Sequence, residues 1–395
     1  MEAKLRIGVI GLGRAFTLML PTLLKDSRLE LVAAAEPLIE PRQLFTRQFT
    51  AKTYDDADAL CRDANVDVVY IASPHQFHAE HAEMAAASGK HILVEKPIAL
   101  SLDECRRMIA ASSNANVHLI VGHSHSFDAP ILRTAALINS GKLGSLRMIQ
   151  MLNFTDFLYR PRRAEELDTA QGGGVVFSQA AHQIDMARLL GGGKLRSVRA
   201  LTGSWDQNRP TEGAYSALIT FENGAFANLT YSGYGHFDSD EFCGWIGESG
   251  RQKDPADYGA ARQSLQNKSA EEEAAMKVAR NYGGPNYAAT DPDDTPPHHQ
   301  HFGFVLASCE RADLRPLPSG VMVYGNDEQY FDKLPEPKIP RSEVIDELYN
   351  AIIHNKAPLH DGKWSLATME ACLALLKSAN EGHEVFLSEQ TGPYE

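Results

Sequence analysis

The hydrophobic pattern of this chain changes period part-way along. From Leu5 to about Val121, short apolar runs alternate with longer amphipathic stretches. Runs at residues 6–10, 29–35, 66–72, 91–94 and 118–121 predict strands, and 80–88 and 102–111 predict helices. Ser101, with Glu104 three residues on, reads as a capping box for the second of these helices. Strand–helix alternation predicts a doubly wound parallel sheet, covered by helices on both faces, in a domain over residues 1–125. Beyond Phe127 the strands lengthen to 145–156, 196–206, 214–222 and 225–233, with Asn223-Gly224 as a hairpin turn. These predict a second α/β domain, 126–395, with a mostly antiparallel sheet. A polar segment at about 235–301 reads as an insertion into it, with a helix at 270–280 and a loop, TDPDDTPPHHQH, at 290–301. Amphipathic helices at 342–355 and 364–381 close the chain.

Charge and composition narrow the partners. A formal net charge of −13 argues against nucleic acid and anionic membrane, which need cationic surface. Five scattered cysteines without a C-x-x-C pair argue against disulfides or thiolate zinc. The HHQH run at 298–301 has no second ligand set, so no functional metal is expected. The N-terminus reads as a strand rather than a signal segment, and no apolar stretch reaches the roughly 18 residues of a membrane span. The expectation is a cytoplasmic protein.

The candidate chemistry lies at strand ends. Gly11-Leu12-Gly13-Arg14-Ala15 follows the first strand: Gly11 permits a tight turn, Gly13 lets the backbone approach a pyrophosphate, and Ala15 supplies a small contact. Phe16 stands where the pattern's third glycine would fall. Glu36 ends the second strand, where a carboxylate holds a ribose 2′-hydroxyl; this favours NAD, while nearby Arg42 keeps NADP open. Lys96 emerges from a strand in Glu95-Lys96-Pro97, where a partly desolvated amine could exchange protons with a hydroxyl. In VFSQAAHQID, Ser178, His182 and Asp185 are spaced to share one helix face, as catalyst or as a core cluster.

Five pieces in order, GVIGLGRA, ASPHQFH, EKPIALS, VGHSHSFDAP and GGGVVFSQAAHQID, resemble the glucose–fructose oxidoreductase/inositol dehydrogenase (Gfo/Idh/MocA) family. The resemblance implies a dinucleotide-binding Rossmann domain over 1–125, a nicotinamide cofactor, and a second domain whose large open sheet pairs subunits into a homodimer or homotetramer. It also implies that Ser73, Pro74, His78 and Glu95 border the cofactor, and that Lys96 and His182 face the substrate. This chain departs from the family's sugar and polyol dehydrogenases, which tend to carry Asp at the position of Ser178 and an aromatic–Asn–x–Arg run where His123-Ser124-His125-Ser126 stands.

Arg160, Arg162 and Arg163 precede the glycine-rich run and suit a carboxylated substrate; equally, they read as a solvated turn paired with Glu165 and Glu166. His75, His78, His123 and His125 add donors on loops near the cleft. The arginine segment, with residues 297–325 and 340–352, resembles the phthalate 4,5-cis-dihydrodiol dehydrogenases. That implies hydride transfer from a carbinol of an anionic cyclic diol, the hydroxyl proton passing to Lys96 or His182. Two alternatives stand: a dehydrogenase or reductase of sugars, inositol or other cyclic polyols, and a nicotinamide-binding sensor without turnover.

Overall fold

The computed structural model describes residues 3–288 and 294–394. Residues 290–293 of the expected loop lie outside these. The first half alternates strands and helices: β1 (Leu5–Ile10), α1 (Arg14–Lys25), β2 (Leu29–Ala35), α2 (Ile39–Phe49), β3 (Lys52–Tyr54), α3 (Ala57–Cys61), β4 (Val68–Ile71), α4 (His78–Ala87), β5 (His91–Val94), α5 (Leu102–Asn114) and β6 (Leu119–Val121). The six strands form a parallel sheet in the order β3-β2-β1-β4-β5-β6. Alternating side chains feed two cores. Leu5, Ile7 and Val9 pack with Phe16, Leu20 and Phe45 on one face, and Ile10, Val69 and Ile71 with Leu60, Ala82 and Ala85 on the other.

Next come α6 (Ala129–Asn139), β7 (Leu146–Phe154), α7 (Ala181–Gly191), β8 (Leu195–Gly203), β9 (Ala214–Phe221) and β10 (Phe226–Ser232). The insertion carries α8 (Ala260–Ser264) and α9 (Ala270–Val278). After it run β11 (Phe304–Cys309), β12 (Ala312–Leu317), β13 (Gly320–Gly325), β14 (Gln329–Lys333), α10 (Ser342–His354), α11 (Gly362–Glu381) and β15 (Val385–Phe386). Nine strands make the second sheet, β14-β13-β12-β11-β7-β10-β9-β8-β15, antiparallel except for the β7–β10 pair. Asn223-Gly224 turns β9 into β10, with Gly224 at φ 87.

The later chain also returns to the first sheet. Val344, Ile345 and Leu348 of α10 join the core around β1, as does Tyr282 from the insertion. Val121 N donates to His360 O at 2.9 Å, so the approach to α11 lies along the edge of β6. α7 is buried along its whole length, and this places His182 between the two sheets. No helix among the described residues is long and apolar enough to cross a membrane.

Candidate active site

The carboxyl ends of β1, β4 and β5 share one edge of the parallel sheet, where ligands of such sheets bind. Gly11 has φ +92, and a Cβ there would stand 2.9 Å from the Ala72 carbonyl oxygen and the Ser73 nitrogen. Only glycine lets β1 pass so close to the loop after β4. Gly13 is different. Its φ is −82, an added Cβ would meet nothing within 4 Å, and it opens α1 with no side-chain cap. The first N–H groups of α1 are therefore free to meet an anion. Arg14 adds a cation that has no ion pair among the described residues; burial, then the charges of Arg280, Arg341 and Arg160, push its pKa down. Half-buried Ala15 follows, and Phe16 packs edge-on to Tyr282 at 5.3 Å. The Glu36 carboxylate accepts from Leu12 N at 2.9 Å and Leu38 N at 3.2 Å, bracing the loop from the end of β2. Arg42 turns toward Asp55, 3.9 Å away. Open space at Gly13, free donors and the Arg14 cation fit a dinucleotide pyrophosphate.

His78 is fully buried, with its ring nitrogens each 3.0 Å from the Pro97 and Ser73 carbonyls. It fastens the loop after β4, where Ser73 and Pro74 lie, to the one after β5. The Ser73 hydroxyl meets His81 Nδ1 at 2.9 Å. Glu95 is buried and accepts from the Tyr70 hydroxyl at 2.6 Å; burial raises its pKa.

Lys96 leaves the end of β5 and donates to the main-chain carbonyl of Ser178 at 2.6 Å. Ser178 lies in a widened π turn, Val176–Ala180, that leads into α7, and it serves here through its carbonyl. Burial lowers the amine's pKa to about 8, although Glu95 and Glu248 pull it upward. His182 is buried, and its Nδ1 accepts from His125 N at 3.4 Å. Burial, then the charges of Lys96 and His125, hold its pKa well below the usual range, so the ring is neutral. With Nδ1 accepting, Nε2 carries the proton and can donate to a substrate oxygen.

Beside it, His125 has Nδ1 2.7 Å from Asp128 and Nε2 3.2 Å from Glu248. Burial opposes its charge, but Asp128 and Glu248 outweigh burial and raise its pKa to about 9. His123, 3.3 Å from Asp128, goes the other way: burial and Arg341 lower it to about 3. Two neighbouring histidines thus hold opposite charge states.

Asp185 lies behind His182, taking hydrogen bonds from Ser126, the Trp364 indole and Thr368. It holds α7 against α11. The three arginines separate. Arg163 pairs with Glu165 at 2.9 Å and shares a capping turn with Glu166. Arg162 stacks on Phe157 at 3.7 Å and donates to its carbonyl at 2.7 Å. Arg160 holds Asp156 at 2.9 Å through Nε and reaches Glu248 at 3.8 Å through Nη2.

The residues missed in the sequence are Asp128 and Glu248. The first was legible, three residues beyond His125 on a turn. Glu248 lies 123 residues from His125, in a polar segment with no motif. His299 and His301 of the HHQH run meet the main-chain carbonyls of Pro335 and Ile246 at 2.8 and 2.7 Å. Among the described residues no three His, Cys, Asp or Glu side chains group to hold a metal ion.

A dinucleotide-ready loop at the head of a parallel sheet, with a lysine of lowered pKa and a neutral histidine nearby, defines an NAD(P)-dependent oxidoreductase acting on a carbinol. Residues 5–123 match an oxidoreductase family with an NAD-binding Rossmann fold, and 131–252 match the GFO/IDH/MocA C-terminal domain. The chain belongs to the Gfo/Idh/MocA family. It is 49% identical over 381 residues, 94% of each chain, to a 1-carboxy-3-chloro-3,4-dihydroxycyclohexa-1,5-diene dehydrogenase of Comamonas testosteroni. It is 29% identical over 198 residues to a myo-inositol 2-dehydrogenase of Thermotoga maritima, covering 50% of this chain and 58% of that one. A crystal structure from Bordetella bronchiseptica RB50 superposes with a TM-score of 0.91 at 42% identity, covering 97% of this chain and all of the other. The WlbA dehydrogenase of Bordetella pertussis, solved with NADH and UDP-GlcNAcA, shares the fold at 20% identity and a TM-score of 0.66, over 98% of this chain and 99% of that one.

Proposed function

We propose that this protein oxidises one carbinol of a carboxylated cyclohexadiene cis-diol to a catechol, with phthalate 4,5-cis-dihydrodiol as the substrate to try first. The observation that carries the reading is the Lys96 amine, lowered to about 8 and held 2.6 Å from the Ser178 carbonyl beside neutral His182. The substrate class comes from the relative that acts on a carboxylated dihydroxycyclohexadiene.

Bound NAD supplies the hydride acceptor. Lys96, in its neutral form, takes the proton of the carbinol hydroxyl. His182 donates from Nε2 to the same oxygen and orients it. The enone left in the ring shifts a proton to become a catechol, and aromatisation draws the reaction forward. Arg160, which reaches toward the cleft, is a candidate for the substrate's carboxylate, whereas Arg162 and Arg163 are engaged with their own neighbours. Glu36 at the end of β2 favours NAD over NADP, because a ribose 2′-phosphate would meet its carboxylate, and Arg42 turns instead toward Asp55. We also propose a homodimer or homotetramer through the open face of the large sheet, where Leu201, Leu218, Phe226 and Phe386 are exposed.

Absorbance at the NADH band tests the activity. NAD with the cis-diol of phthalate should yield NADH and a catechol, at a rate above that with NADP. Equal turnover of inositol or a neutral sugar would replace the reading with a polyol dehydrogenase. Cofactor binding without turnover of any cyclic alcohol would make the protein a sensor.

A further inference from the structure

The insertion sends one carboxylate into the cleft. Glu248 sits in a turn closed by the Ile246–Gln252 bridge, its side chain 37% exposed. One of its oxygens is 3.2 Å from His125 Nε2 and the other 3.8 Å from Arg160 Nη2. It makes no other hydrogen bond or ion pair among the described residues. A carboxylate retained for stability alone gains most from short, two-point pairing with arginine; this one is half-buried and meets its arginine only at 3.8 Å.

The groups that hold it each have a second carboxylate. His125 has Asp128 2.7 Å from its other nitrogen, which fixes the ring whatever anion meets Nε2. Arg160 is anchored to Asp156 through Nε, which leaves Nη2 for a second anion. Buried Phe302 braces the histidines: it stacks on His125 at 4.7 Å and lies 5.0 Å from His182. The His125 and His182 rings are themselves 4.7 Å apart. A ring whose carboxylate took the place of Glu248 at His125 would lie beside His182, and its carbinol could reach that ring.

We propose that His125 and Arg160 form the subsite for the substrate's ring carboxylate, and that Glu248 fills this subsite in the empty protein and is displaced when that carboxylate binds. The subsite rests on the reading of a carboxylated substrate given above. Binding exchanges one carboxylate for another on the same cations, with no proton gained or lost. Anionic ligands compete for the subsite; neutral diols have nothing to gain there.

Benzoate and benzyl alcohol, titrated calorimetrically into the NAD-loaded protein, test this. If Glu248 occupies the subsite most of the time, Glu248→Gln should bind benzoate about five- to tenfold more tightly than wild type, because removing an internal competitor restores the competent fraction. Benzyl alcohol affinity should not change. Adding Arg160→Gln to Glu248→Gln should abolish the gain. The KM of Glu248→Gln for a carboxylated cis-diol should fall, with no fall for cis-benzene dihydrodiol. Unchanged or weaker benzoate binding by a folded Glu248→Gln overturns the proposal and makes Glu248 a structural or substrate-holding group. A wild-type protein that turns over no carboxylated diol overturns the functional reading instead, whatever the benzoate result.

Discussion

Two opposing demands meet in Lys96. Burial drives its amine toward neutrality, Glu95 and Glu248 favour the charged form, and burial wins at a pKa of about 8. A base of depressed pKa becomes active as pH rises through that value, so kcat/KM should climb across about pH 7 to 9 and then level off. Lys96→Arg keeps the charge but cannot give up its proton. It should lose about two to four orders of magnitude in kcat and with it the rising limb, while calorimetry still finds NAD bound. A variant that kept the pH profile would remove Lys96 from proton transfer. In the sequence, EKP at a strand end marked this lysine, yet not its partner. A main-chain carbonyl carries no side-chain signature, and only the packing of α7 brought Ser178 to it.

At the scale of elements, the glycine loop separates two kinds of necessity. Gly11 is needed for the fold, at φ +92 and against the Ala72 carbonyl; the fold leaves room at Gly13, with nothing within 4 Å of its Cβ position, and the need for glycine there is proposed to come from the dinucleotide. Gly11→Val should destabilise the protein by about 1–3 kcal/mol through backbone strain, with the contact at Ala72 adding to it. Gly13→Val should unfold at nearly the wild-type urea concentration but bind NAD at least about tenfold more weakly, by calorimetry. If Gly13→Val bound NAD normally, the pyrophosphate would have to lie elsewhere. Local patterns of this kind were largely legible. Strands at 29–35 and 91–94 match the observed β2 and β5, and Glu104 N donates to Ser101 Oγ at 3.3 Å as the capping pattern predicts. The Glu104 carboxylate departs by one residue, accepting from Leu100 N at 3.2 Å. β3 went unseen because three residues are too few to show a period, and the π turn because VFSQA reads as ordinary helix.

Across the whole molecule, the nine-stranded sheet leaves one face open, with apolar side chains set among polar ones. Leu218 and Leu201 lie on neighbouring strands there, 42% and 63% exposed. Leu218→Lys should shift the protein to a smaller species in light scattering, because a charge buried in a subunit contact stays unpaired. A wild-type monomer would dispose of the sheet-to-sheet contact. The sequence by itself determined what depends on near neighbours: the period of each strand, the glycine loop, the lysine after β5, and the spacing of His182 and Asp185 on one helix. Tertiary structure decided how those parts are used. Tyr282, more than 260 residues from Phe16, fills the core behind the glycine loop; Asp185 turned toward Trp364; and Glu248 crossed to His125. Charge states followed from the same packing. His123 and His125 are two residues apart, yet burial lowers one to about 3 while Asp128 and Glu248 raise the other to about 9. Desolvation and Coulomb attraction depend on distance in space, which sequence spacing does not encode.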